Sequence, residues 1–188
     1  MALLCLSPLS AMFLTTFVLG GENPDVWGIP HKGLQMAVRA DKPSYRVDET
    51  VVIDVAIRNT TKEPIWLGMS IEDQASFEVI VNLKEIMAGG LGRMPLTRYG
   101  VFRYTPLAAG KNVPIRLEAG EVRNYRFPLN RMYDMTFGGH YTVTVNRSVP
   151  GRFRYDPDGR PAAGEAARPI ELKSNDLSLT LIDKHRLL

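Results

Sequence analysis

The sequence predicts an all-β protein: an antiparallel β-sandwich of about seven to nine short strands, interrupted by two long loops. Three observations lead there. From Leu34 onward, apolar residues recur at every second position, the period of a strand with one buried face. Turn-forming residues separate these runs at short intervals, as in sandwiches and barrels. No segment carries a sustained 3.6-residue apolar stripe, so no helix is available to cover a parallel sheet.

The chain begins with a different signal. Residues 1–21 contain no charge, and the first charged residue is Glu22. Apolar runs around Leu3 and Phe17 are followed by Gly20-Gly21 and then by polar residues. Residues 1–20 are expected to be a secretory signal peptide cut near Gly20, with Val18 and Gly20 suiting the cleavage site. No Lys or Arg precedes the apolar run, and the rival readings are a retained N-terminal anchor or a buried helix. Residues 21–33 read as a linker, 34–183 as the sandwich and 184–188 as a tail. Cleavage would remove Cys5, the one cysteine, and with it any disulfide, thiol nucleophile or thiolate metal site. Export without disulfides points to a bacterial envelope protein, periplasmic or extracellular.

The strands follow in order. Leu34, Met36 and Val38 share one face. Val51, Ile53, Val55 and Ile57 form the clearest run, with Asp54 and Arg58 opposite. Ile65, Leu67 and Met69 follow Pro64; Phe77, Val79, Val81 and Leu83 follow next. Val113, Ile115 and Leu117 alternate, as do Arg123, Tyr125 and Phe127. Tyr141, Val143 and Val145 alternate with Thr142, Thr144 and Asn146, and Leu177, Leu179 and Leu181 close the series. Val and Ile suit such a pleated, half-buried surface. Short helical turns are expected at 71–75 and 129–134. The Gly- and Pro-bearing stretch 87–109 reads as a long connection with a small hairpin around 101–104. The stretch 150–169 reads as an extended loop between the last two strands.

Two local patterns resemble known domains. Asp41-Lys42-Pro43-Ser44-Tyr45, followed by Glu49, Val51, Ile53, Val55 and Asn59, resembles the opening of bacterial immunoglobulin-like sandwiches. These include macroglobulin-type domains and the intracellular proteinase-inhibitor domain. Where they place a Pro-Gly turn, this chain has Val47-Asp48. Gly139-His140-Tyr141-Thr142-Val143, preceded by Leu129 and Tyr133-Asp134, resembles the penultimate strand of immunoglobulin-like domains. There a Tyr fixes the corner by hydrogen-bonding back along the chain. Lys173-Ser174-Asn175 with Leu177, Leu179 and Leu181 is similar to their last strand. The resemblance spans residues 34–182 and implies an immunoglobulin-like fold rather than an activity. A macroglobulin thioester needs a Cys, which the mature chain lacks, so a thioester trap is excluded.

Catalytic patterns are missing from the sequence. His31, His140 and His185 have no mutual ligand spacing, and His140 is expected to point outward beside Tyr141. There is no Gly-x-Ser-x-Gly elbow and no phosphate-binding loop. Gly89-Gly90-Leu91-Gly92 lacks dinucleotide spacing, and Asp156-Pro157-Asp158-Gly159 lacks the later ligands of a calcium loop, leaving a turn. Glu72-Asp73 reads as a solvated face. The triplets beginning at Asn59 and Asn146 are read as chance matches to a glycosylation signal. No cofactor and no metal is expected.

The basic residues carry the functional expectation. Net charge is +3, with a pI near 9.1. Arg147, Arg152, Arg154, Arg160 and Arg168 crowd one loop, diluted by Asp156, Asp158 and Glu165, and Arg98-Tyr99-Gly100-Val101-Phe102-Arg103-Tyr104 interleaves basic and aromatic side chains. The plain reading of the latter is a strand whose arginines lie over the sheet. The functional reading is a partner-binding surface at Arg152, Arg154 and Tyr155, and at Tyr99, Phe102 and Tyr104. With an export signal, the partner is a protein or an anionic envelope polymer rather than nucleic acid. A membrane is met only through an uncleaved N-terminal segment. The favoured function is a non-catalytic exported binding module. A protease inhibitor ranks second, although residues 164–168 are small where an inhibitory loop is rigid; a hydrolase or metal-dependent enzyme ranks third.

Overall fold

The computed structural model of the chain describes residues 27–70, 76–85, 92–104, 112–149 and 169–183. One sheet holds β1 (Leu34–Ala40), β3 (Val52–Asn59) and β7 (Val122–Pro128), in the order β1-β3-β7. The other holds β2 (Ser44–Arg46), β10 (Leu177–Ile182), β8 (Gly139–Val149) and β5 (Phe77–Leu83), in that order, with β9 (Ile170–Lys173) also paired to β8. A ribbon of β4 (Ile65–Ser70) and β6 (Asn112–Leu117) completes the strands. Two short helices, α1 (Arg98–Tyr104) and α2 (Leu129–Met132), accompany them. Every pairing is antiparallel except β2 with β10. This is the all-β antiparallel sandwich that the alternation predicts.

The inward faces are the alternating sets read from sequence. Leu34, Met36 and Val38 of β1 and Ile53, Val55 and Ile57 of β3 meet Phe77, Val79 and Val81 of β5 and Tyr141, Val143 and Val145 of β8 in one buried cluster. Across the layers, the Phe77 ring lies 4.8 Å from Tyr125 and 5.4 Å from Phe127 of β7. Full burial of each such side chain contributes about 1.5–3 kcal/mol.

The leading strand is divided between the sheets. β1 pairs with β3, the chain bends at Asp41, and β2 then pairs with β10. Pro43 sits at the switch; it has no N–H to give, and its carbonyl accepts from the Thr180 N–H at 2.9 Å. β9 and β10 are one strand broken by a bulge. Asn146 faces Lys173 and Val143 faces Leu177, so Thr144 and Val145 oppose Ser174, Asn175 and Asp176. The Ser174 hydroxyl accepts from the Val145 N–H at 2.9 Å. The extra length turns Asn175 toward β1, where its amide pairs with both backbone groups of Val38, at 2.8 and 3.1 Å.

Residues 27–33, which read as linker, fold back on β1. The Gly28 N–H donates to the Met36 carbonyl at 2.8 Å, and Trp27 bridges to Ala37. The indole lies between the guanidinium groups of Arg58 and Arg39, 4.2 and 5.4 Å from the ring. The expected tyrosine corner is present: the Tyr141 hydroxyl donates to the Phe137 carbonyl at 2.6 Å. The helical turn expected at 129–134 is α2; the one at 71–75 lies outside the described residues, as does the loop 150–168.

Two expectations are corrected. Residues 101–104 are not a hairpin but the end of helix α1. Gly100 and Tyr104, four apart, turn inward together, and the alternation of base and aromatic serves a helix as well as a strand. Arg147 does not belong with the loop arginines. It occupies the next inward position of β8 after Val145, fully buried, with its guanidinium 4.2 Å from the Phe77 ring and 5.5 Å from that of Tyr125.

Candidate functional site

β5 forms one edge of its sheet, and among the described residues two devices cover that edge. At its C-terminal half, residues 92–94 run antiparallel to it: Leu83 donates to Gly92 at 2.8 Å and Met94 to Val81 at 2.7 Å, flanking the bridge of Asn82 with Arg93. Continued in this register, Leu96 would reach Val79. Pro95 breaks the run, and Leu96 bridges to Tyr133 instead.

At Val79 two phenols take the place of a strand. The Val79 N–H donates to Tyr104 Oη at 3.2 Å, and Tyr133 Oη donates to the Val79 carbonyl. The two hydroxyls lie 3.2 Å apart. The one proton of Tyr133 goes to Val79, so Tyr104 donates to Tyr133, and three hydrogen bonds close a ring. Burial pushes both phenols above their ordinary range, which keeps the protons on. The outward-facing backbone of Val79, fully buried, is thereby satisfied without another strand.

Beside this ring opens a cleft of about 450 Å³ along Ser76 to Val79, walled by Met94, Leu96, Tyr104 and Tyr133 and rimmed by Glu78 and Arg93. Arg93 reaches Glu78 at 3.2 Å across the rim.

α1 forms the outer wall. Thr97 starts it: its hydroxyl accepts from the Gly100 N–H at 3.1 Å, its carbonyl accepts from Val101 at 2.9 Å, and its O–H donates to the Arg131 carbonyl. Gly100 permits the close approach to α2, since a Cβ there would stand 2.1 Å from the Met132 carbonyl oxygen. With Gly100 and Tyr104 inward, the outer side presents Val101, 54% exposed, Phe102, 59% exposed, and Tyr99, 37% exposed. Arg131 lies over the Tyr99 ring at 5.2 Å. Arg98 and Arg103 flank the ridge, and α1 itself contains no acidic residue.

Of the expected binding residues, the fold brings Tyr99, Phe102 and Tyr104 onto this one helix, with Tyr104 turned into the cleft. Arg152, Arg154 and Tyr155 lie outside the described residues. Tyr133, Val79, Arg93 and Arg131 had no assigned role in the sequence. The spacing of Tyr133 from the Gly139 corner was visible, but not its reach to β5.

A second cleft, of about 520 Å³, lies between Trp27 and the bulge. Its polar side chains serve the fold: Gln35 donates to the Gly28 carbonyl and accepts from Arg58, Asn175 holds Val38, and Asp176 accepts from Thr144. His140 points outward as expected, with Nδ1 2.6 Å from the Glu85 carboxylate. Among the described residues, no group of three or more His, Cys, Asp or Glu side chains is placed to hold a metal ion, and no helix is long and apolar enough to cross a membrane.

No family model matches the chain, and no curated protein matches it. Among solved structures it is similar to a β-glucosidase from Erythrobacter marinus, at 15% identity and a TM-score of 0.35. That match covers 79% of this chain and 15% of the glucosidase.

Proposed function

We propose that this chain is a non-catalytic, exported binding module that engages a protein partner through the α1 ridge. The observation that carries the reading is the outward pair Val101 and Phe102, held on a helix that Thr97 and Gly100 anchor firmly to α2. Exposed apolar side chains with basic residues beside them form an interface pattern, an aromatic anchor with Arg at its margin. The partner surface that fits is apolar with acidic groups around it. Burial of a ring such as Phe102 contributes about 1.5–3 kcal/mol. The export reading rests on the uncharged first 21 residues. Arg152 and Arg154 supply a second, cationic contact in the same proposal.

The test is quantitative capture from envelope extract by the full chain and by two variants, Phe102→Glu and the double change Arg152→Glu with Arg154→Glu. The expected result is one protein enriched by the natural chain and lost with Phe102→Glu. An unchanged enriched set would sink the reading. Retention on purified anionic wall polymer, lost only in the arginine variant, would replace the protein by a polymer.

A further inference from the structure

We propose that the outer face of the β1-β3-β7 sheet carries a site for a small oxyanion, a carboxylate or a phosphate, held by Arg39 beside the Trp27 indole. The site is separate from the α1 ridge and goes beyond the protein-binding reading. Its seat is made by two alanines. Ala37 and Ala56 pair across β1 and β3 on the outward side of the sheet, yet both are buried. Trp27 bridges to Ala37, so its side chain stands on the same face. There the indole lies against the Arg58 guanidinium at 4.2 Å and the Arg39 guanidinium at 5.4 Å.

Three donors collect in this stack. Arg39 Nε, Arg39 Nη2 and Trp27 Nε1 are sheltered from solvent and have no hydrogen-bond acceptor among the described residues. Nε and Nη2 form one edge of a guanidinium, two parallel N–H groups that match two oxygens of a carboxylate or phosphate. Arg46 uses the same edge in this way, giving Nε to one Asp48 oxygen at 2.9 Å and Nη2 to the other at 3.0 Å. Arg93, Arg116, Arg123 and Arg126 also have a carboxylate at ion-pair distance, whereas among the described residues Arg39 and Arg58 have none. Asp54 stands opposite Arg39 on β3 but turns its carboxylate to Arg126 at 3.0 Å. Gln35, which accepts from Nε and Nη2 of Arg58, is neutral. Two guanidinium charges thus share one indole without compensation. A sheltered guanidinium edge without an acceptor is costly, and a bound ion relieves that cost. Trp27, Arg39 and Arg58 are each partly exposed, so the stack is open at its margin while its donors are sheltered. That arrangement suits an ion the size of acetate or phosphate rather than a chain. Bound there, the ion would pin residues 27–33 to β1.

The experiment titrates the full chain with sodium acetate and, separately, with sodium phosphate, each against a sodium chloride series of the same ionic strength. Proton–nitrogen NMR follows the Arg39 Nε–H, assigned by its loss in Arg39→Lys, and the Trp27 indole N–H, assigned by its loss in Trp27→Phe. The expected result is a saturable downfield shift of the Arg39 Nε–H with acetate or phosphate, half complete in the millimolar range. The thermal midpoint of the natural chain rises over the same concentrations. Arg39→Lys keeps the charge and loses the paired donors, so the Trp27 response should need about tenfold more anion. An equal response to chloride, no saturable response to either anion, or a Trp27 response unchanged in Arg39→Lys would overturn the site. Tighter binding in a chain carrying Glu22→Gln and Asp25→Asn would assign the Arg39 edge to the protein's own carboxylates and overturn an external ion.

Discussion

The hydroxyls of Tyr104 and Tyr133 lie 3.2 Å apart and close a hydrogen-bonded ring through the backbone of one residue, Val79. One phenol comes from α1 and the other from the residue after α2, so the ring ties both helices to the edge of the sheet. Chains of hydrogen bonds that polarise one another lose more than their parts when broken. Tyr133→Phe leaves the Val79 carbonyl without its donor and is expected to cost about 1–3 kcal/mol; Tyr104→Phe is expected to cost less. In urea unfolding, the double variant should cost less than the sum of the two. Strict additivity would show that no ring exists.

Asn175 joins the two sheets through Val38. Asn175→Ala removes both hydrogen bonds and leaves a partly buried backbone pair unsatisfied, an expected cost of about 2 kcal/mol. Asn175→Asp keeps the acceptor and loses the donor, so its cost should fall between. Thermal unfolding of the three proteins ranks them; an alanine variant as stable as the natural chain contradicts the role.

Gly100 and Gly120 provide a paired test of space against strain. An Ala side chain at Gly100 meets the Met132 carbonyl oxygen at 2.1 Å and must push α1 away from α2. At Gly120, with φ of +73°, nothing lies within 4 Å, and the cost is the left-handed backbone alone, about 1 kcal/mol. Gly100→Ala should therefore disturb the near-ultraviolet signal of Tyr104 and Tyr133, and Gly120→Ala should not.

Alkaline pH offers a further check. Burial pushes Tyr141 up to about 12, aided by the charges of Asp134 and Glu85; burial and the hydrogen bond to Asp41 push Tyr45 up to about 12. The unfolded phenols titrate near 10. A folded value above the unfolded one means stability is full below pH ~10 and is lost as pH rises toward ~12. Unfolding midpoints should fall across that window, and Tyr141→Phe should flatten the fall. A midpoint independent of pH there would contradict the burial of these phenols.

The sandwich was legible because burial on one face of a strand writes itself into every second residue. β3, β5 and β8 show this directly, and extending the β8 alternation by one step would have placed Arg147 inside. β2 and β9 were missed: each is too short to display a period, and β9 is separated from β10 by a bulge that breaks the alternation at Ser174. The candidate site was half legible. Tyr99, Phe102 and Tyr104 could be named from composition, yet the segment reads equally as strand or helix. What decides is the contact of Gly100 with the Met132 carbonyl, a long-range approach that no local pattern carries. In the sequence Tyr133 shows only its place in the corner pattern, because its partner Val79 stands 54 residues away along the chain.

The most direct measurement places a photo-crosslinking amino acid at position 102, and at position 58 as a control on the opposite sheet, in cells that make the full chain. The account predicts one protein adduct from position 102, absent from position 58, identified by mass spectrometry. Equal adducts from both positions, or none from position 102, would contradict the claim that the α1 ridge is where this sandwich meets its partner.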